Sequence, residues 1–234
     1  FAGQINGTTG YEEAGGQGLL AGVNAALAVK AAPPWYPSRD EAYLGVLVDD
    51  LINQGTDEPY RMFTSRAEHR LLLREDNAMW RLGAKALELG LLTEKQAKHY
   101  KQTLVCEKEV QRQLARIQVR PGSKAHQSLV AHVEGEIPEA QTLESLCTRQ
   151  GVHATLLLDL FPELLHKEVL AKVLVDYKYA GYIARQQREV SGSLRDEKTV
   201  IPLAFDYHQV RGLSSECQEK LSSHRPHTLG QASR

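Results

Sequence analysis

The chain is poor in the residues that build several common kinds of site. It has three cysteines, Cys106, Cys147 and Cys217, odd in number and far apart. They form no CxxC pair and no Cys/His ligand pattern, which argues against a disulfide framework or zinc ribbon and implies a reduced, cytosolic setting. The nine histidines show no HExxH or HxH spacing, so no metal site is expected. No GxGxxG dinucleotide fingerprint is present. The longest apolar runs, such as Leu156–Leu158, are far too short to span a bilayer, and no signal-peptide pattern is visible. A formal net charge of −1 excludes a uniformly basic protein while leaving room for local basic faces.

What is there suffices for a folded core. Of the 234 residues, 42% are hydrophobic, which argues against global disorder and allows one large domain or two small ones. The most informative stretch is the first. Gly3, Gly7 and Gly10 surround Thr8 and Thr9, and an amphipathic helix is expected from about Tyr11 to Ala28. Glycine lets the main chain turn with positive φ or approach a ligand closely. A helix starting there aims free N–H groups and a partial positive charge at whatever lies in front. Thr9-x-x-Glu12 has the spacing of a capping box for that start. An ordinary strand-to-helix turn would carry the same spacing, and both readings stay open.

Helical patterns dominate the remainder. Leu19, Leu20, Val23, Ala26 and Leu27 form one stripe; Ala31–Pro37 breaks it as an extended connection; Ser38-x-x-Glu41 is expected to open a second helix ending at Gly55. Residues 56–75 carry conflicting signals for strand and helix. Helices are expected over 77–89, from Thr93 to about 118, from Thr142 to 150, from 164 to 191 and from Ser214 to 223, with a last start at Thr228. Residues 120–141 are polar and weakly patterned, and 192–205 reads as a loop. The fold class is mainly α: a C-terminal helical domain preceded by a short α/β remnant. Phe1 stands where a strand is expected to be already under way, and Arg234 follows closely on a helix start, so a piece of a longer protein is expected.

Three side-chain groupings could carry chemistry. Arg61, Arg66, Arg70 and Arg74 face only one acid in their span, Glu68, though Asp57, Glu58, Glu75 and Asp76 flank it. Such a segment is either solvated and internally paired or a phosphate-binding strip, for which the arginine fork is well suited. Lys178, Tyr182 and Arg185 fall at i, i+4 and i+7 of one helix. Basic residues interleaved with tyrosines suit splayed RNA bases, or equally helix-on-helix packing. The block from Val210 to Arg234, with Arg211 and Arg225, reads as a helix-turn-helix unit or a small bundle with a basic rim.

The wording of these segments goes further than their spacing. AGQINGTTGYEEA followed by QGLLAG resembles the last flavin-binding segment of the GidA/MnmG family, the FAD-dependent enzymes of tRNA wobble-uridine carboxymethylaminomethylation. EAYLGVLVDDL, GTDEPYRMFTSRAEHRLLLREDNA, YKYAGYI and FDYHQVRGLSSE resemble further blocks of that family, and only residues 92–141 stand outside the likeness. The resemblance implies that Gln4 lies against the FAD, that the backbone at Thr8, Thr9, Gly10 and Tyr11 faces the flavin pyrimidine edge, and that Asn6 and Glu13 are second contacts. It implies NADH and methylenetetrahydrofolate as further reactants, and tRNA and a partner GTPase of the MnmE type as partners. A cytoplasmic homodimer with no membrane association follows from it as well. Arg61, Arg66, Arg70, Arg74, Lys178, Tyr182 and Arg185 become tRNA candidates, and Arg211 and Arg225 partner candidates. Residues 1–75 would then be the end of an FAD-binding Rossmann-type domain with its connection, and 76–234 the helical tRNA- and partner-binding domain, with a further division near 195–205. The family's redox cysteines have no counterpart here, so the chain would carry one edge of a flavin site and no catalytic residue. Two other readings stay open: a relative of the flavin- and folate-dependent tRNA uridine methyltransferases, and a stand-alone helical RNA- or protein-binding module.

Overall fold

A computed structural model describes residues 1–53, 55–56, 58–133, 135–164 and 166–233. Asp57 and Arg234, both used in the sequence reading, lie outside these residues. The architecture is mainly α, and the chain divides into two compact units, residues 74–183 and residues 1–73 together with 184–234. The last fifty residues thus group with the N-terminal segment rather than with the helices that precede them.

Within residues 74–183 lie α3 (Ala78–Glu88), α4 (Glu94–Arg116), α5 (Lys124–Val130), α6 (Leu143–Leu146), α7 (Ala154–Leu160) and the first half of α8 (Lys167–Lys198). The start of α4 is a full capping box: Thr93 Oγ1 accepts from the Gln96 N–H and the Gln96 side chain accepts from the Thr93 N–H. Two-residue strands β1 (Gln118–Val119) and β2 (Gln141–Thr142) pair antiparallel, Val119 opposite Gln141. The core gathers Leu114, Leu129, Leu143, Leu146, Leu157 and Leu170, all fully buried. Burial of each contributes about 1.5–3 kcal/mol. Residues 120–141, unpatterned in sequence, supply part of it. Ser123 caps α5 by accepting from the His126 N–H, and Leu129, Val133 and Ile137 turn inward.

The other unit holds a 3₁₀ turn (Gly3–Asn6), α1 (Tyr11–Val29), α2 (Tyr43–Asn53), a second 3₁₀ turn (Thr64–Arg66), the end of α8, α9 (Ser215–His224) and α10 (Leu229–Ala232). Ser214 and Thr228 cap α9 and α10 as their positions in the sequence predict. Four expectations are corrected. The first ten residues form a turn and one isolated parallel bridge, Thr8 to Tyr60, and no strand. The N-cap of α1 is Gly10 and no side chain caps it: the helix starts one residue later than the Thr9-x-x-Glu12 spacing requires, so Thr9 lies before the cap and gives its N–H to the Tyr60 carbonyl. Ser38 and Glu41 exchange hydrogen bonds in a turn, but α2 begins only at Tyr43. The long helix α8 does not stop near Ser191; it runs through Gly192 to Lys198, 32 residues in all. Among the described residues no helix is long and apolar enough to cross a membrane.

Candidate functional site

Residues 3–13 are organised by a side chain that the sequence reading did not single out. Gln17, in the second turn of α1 and buried, accepts from the Gly3 N–H at 3.0 Å and from Asn6 Nδ2 at 2.7 Å, and donates to Thr8 Oγ1 at 2.9 Å. One amide thereby folds the turn back onto the helix that follows it. Gly7 is required at the apex: its φ is +78°, and a Cβ there would lie 2.4 Å from Thr56 Oγ1.

The six turn residues divide accordingly. Asn6 and Thr8 give their side chains to Gln17. Gln4 and Thr9 are exposed, Tyr11 is 95% exposed, and Gly10 contributes backbone alone. The start of α1, a helix of 19 residues, therefore opens between exposed Thr9 and Tyr11 without a capping side chain.

Glu13 closes this start from behind. Its carboxylate is buried; Oε1 accepts the Met62 N–H at 2.8 Å, and Oε2 has no hydrogen-bond partner. Oε2 rests on Gly10 so closely that a Cβ at position 10 would come within 1.5 Å of it. The Met62 hydrogen bond, opposed by burial and helped by the charge of Arg61, holds the Glu13 carboxyl below the ordinary carboxylate range.

Behind Met62 lies the arginine segment. Tyr60 is buried, and its hydroxyl donates to Asp50 Oδ2 at 2.8 Å. Arg66 stacks over the Tyr60 ring at 4.6 Å and reaches the same Asp50 oxygen at 3.6 Å. The organiser here is Arg39, another residue the sequence reading passed over. It donates to Asp49 at 2.9 Å, Asp50 at 2.6 Å, Glu68 at 2.7 Å and the Arg66 carbonyl at 3.1 Å. Gln186 of α8 then joins the segment to the helix, accepting from the Leu72 N–H and donating to the Glu68 carbonyl.

The RNA candidates separate by what their charges already hold. Arg61, Arg66 and Arg70 are exposed, with Arg70 donating to the Ala67 carbonyl at 3.4 Å. Arg74 is half-buried and bonded to Asp76 at 2.9 Å and Asp176 at 2.8 Å. Lys178 donates to the Val152 carbonyl at 2.6 Å. These two cations serve their own unit's packing, an outcome that helical spacing cannot distinguish from a free basic face. Tyr182 is 65% exposed and Arg185 is exposed. Of the partner candidates, Arg211 is exposed; Arg225 ends α9 in a left-handed conformation, φ +46°, with its guanidinium on the Leu203 carbonyl at 3.3 Å.

The thiols are dispersed: Cys147 is buried, with burial pushing its thiol up to about 12, Cys106 is half-buried and Cys217 exposed. Among the described residues no group of three His, Cys, Asp or Glu side chains is placed to hold a metal ion.

Comparison with known proteins matches three family models along the chain. Residues 1–33 match glucose inhibited division protein A, residues 94–187 the tRNA modifying enzyme MnmG/GidA C-terminal helical domain, and residues 189–234 the MnmG/GidA C-terminal helical bundle. Among solved structures, Aquifex aeolicus GidA in its form II crystal is 38% identical with a TM-score of 0.74, covering 100% of this chain and 37% of its own. The form I crystal of the same protein gives 38% identity and a TM-score of 0.71, over 99% of this chain and 36% of its own. The chain thus spans little more than a third of the length of the GidA chain it matches. By its matched segments and by its fold, this chain belongs to the MnmG/GidA family of tRNA-modifying enzymes.

Proposed function

We propose that this chain is part of an FAD-dependent enzyme that forms 5-carboxymethylaminomethyluridine at the tRNA wobble position, working with NADH, methylenetetrahydrofolate and an MnmE-type GTPase. Its own share would be one edge of the flavin site and the helical region that meets tRNA and the partner. The observation that carries this reading is the uncapped start of α1, open between exposed Thr9 and Tyr11 and backed by a turn that depends on Gly7 and Gly10.

The residues present fit a flavin edge. N–H groups at a helix start with no capping side chain are donors seeking an acceptor, and the partial positive charge there favours an electron-rich ring edge. Bound FAD supplies the redox chemistry of the reaction. Gln17 holds the turn in shape, Glu13 fixes the helix start against Met62, and exposed Gln4 stands at the rim of the turn. Arg61, Arg66 and Arg70 would take RNA phosphates, with Tyr182 and Arg185 as further contacts; Arg74 and Lys178 are left out because their charges are held internally. Arg211 and Arg225 remain the candidates for the GTPase surface of a cytoplasmic homodimer.

Paired titrations of the full-length enzyme test this. Arg66→Ala with Arg70→Ala should weaken tRNA binding and reduce its salt slope by roughly two, while FAD fluorescence titration is unchanged. Unchanged RNA affinity and slope would leave those arginines structural.

A further inference from the structure

We propose that Tyr60 is a positioning residue that makes flavin binding at the Gly3–Tyr11 turn and RNA binding at Arg61, Arg66 and Arg70 depend on one another. The inference rests on the functional reading above and adds a link between its two sites.

Tyr60 belongs to both. Its backbone is tied to the turn on each side of Thr8: the N–H donates to the Gly7 carbonyl at 2.7 Å, and the carbonyl accepts from the Thr9 N–H at 3.4 Å. Its side chain is tied to the arginine segment, the hydroxyl on Asp50 and the ring beneath Arg66. The two attachments leave the residue 4% exposed. Two residues on, the Met62 N–H is held by Glu13, 49 positions away in sequence, so residues 60–62 are bound both to the turn and to the first turn of α1. Asp50 Oδ2 is shared between the Tyr60 hydroxyl and Arg66. The guanidinium thus lies over the ring and at the same time meets the carboxylate oxygen to which the hydroxyl donates.

A ligand held against Gly7–Tyr11 restrains the Tyr60 backbone, and through ring and hydroxyl the placement of Arg66. Both ligands thus act on one residue, and a ligand that favours the Tyr60 placement the other site needs makes the second bind more tightly. Linkage requires the effect to be equal in both directions.

The test measures both affinities in full-length protein: an unmodified tRNA transcript titrated against the apo and FAD-loaded forms, and FAD titrated with and without tRNA. In the wild type, FAD should tighten tRNA binding by about five-fold or more, and tRNA should tighten FAD binding by the same factor. Tyr60→Phe keeps ring and backbone and removes the hydroxyl link; Asp50→Asn weakens the same link from its other end. Each variant, checked for wild-type helical content, should bring the coupling to within about two-fold of none. Arg70→Ala, which does not touch Tyr60, should weaken tRNA binding and leave the coupling factor as it was. An undiminished factor in Tyr60→Phe, or a wild type that binds both ligands independently, overturns the inference while leaving the functional reading intact. A full-length protein that binds neither FAD nor tRNA overturns the functional reading itself.

Discussion

The guanidinium of Arg39 grips the carboxylate of Glu68 at two points, Nη2 to Oε1 at 2.7 Å and Nε to Oε2 at 3.3 Å, while its other amino group satisfies Asp50. One side chain thereby closes the loop before α2, the acidic face of α2 and the arginine segment into a single network. Asp50 is only 3% exposed at its side chain, so it depends on that partner.

Arg39→Ala should therefore be costly. Removing Arg39 would leave the buried Asp50 with only the Tyr60 hydroxyl and the more distant Arg66, a loss below the roughly 3–5 kcal/mol of a fully stripped buried charge but well above that of a surface pair. Arg39→Lys should recover only part of it, since a point charge cannot reproduce the fork. Urea unfolding of the two variants beside the wild type gives the comparison, and a lysine variant as stable as the wild type would count against the fork.

Gly10 and Glu13 should behave as a coupled pair. Gly10→Ala drives a Cβ into Glu13 Oε2 and should displace the carboxylate from Met62. Glu13→Ala loses the same hydrogen bond. Because both lesions remove one arrangement, the double variant should cost less than the sum by roughly 0.5–3 kcal/mol in a double-mutant cycle. Strict additivity in denaturation experiments would show that the two residues act separately.

The acid limb of the stability curve should carry the signature of two carboxylates. Glu13 is lowered chiefly by the Met62 N–H against the cost of burial. For Glu68 burial pulls upward, and the Arg39 hydrogen bonds and charge outweigh it. Both folded-state values thus lie below the unfolded value of 4.5. A depressed carboxylate contributes stability that is complete above the unfolded value and is lost as pH falls through the folded one. Urea midpoints followed from about pH 7 down to pH 3 should fall in the wild type below that value and fall less steeply in Glu13→Gln and Glu68→Gln.

The cysteines should react in order of exposure. Cys217 should alkylate in the native protein, whereas Cys147, buried and with its thiol pushed up to about 12, should alkylate only after denaturation. Peptide mass mapping after a brief iodoacetamide pulse distinguishes them, and native labelling of Cys147 would mean that the core around it opens.

How far the sequence speaks depends on the range of the interaction. Caps at Thr93, Thr142, Ser214 and Thr228 are legible because donor and acceptor lie three residues apart. Thr9 has equally good local credentials and fails, since its backbone is paired to Tyr60 and the helix starts one residue later, with Gly10 at the N-cap. Gly192 reads as a helix end, yet α8 passes through it. Ser123 caps α5 without the glutamate or glutamine that would announce a box. At the candidate site, Gln4 and the glycines stand out through composition and family wording. Gln17 and Arg39 do not, because their meaning lies in partners up to 29 positions away. Arg74 and Lys178 stay ambiguous for the same reason: spacing shows a charge but not the aspartate or carbonyl that already holds it.

The carboxylate enclosed behind Gly10 also sets the electrical character of what can dock in front of it. A helix start ordinarily draws anions, and a doubly charged phosphate most of all. Here a fixed negative charge already sits within the first turn, beside a second at Glu12, and cancels part of that pull. Selection at this surface therefore runs against concentrated charge and toward a flat, delocalised group that asks for hydrogen-bond donors more than for counter-charge.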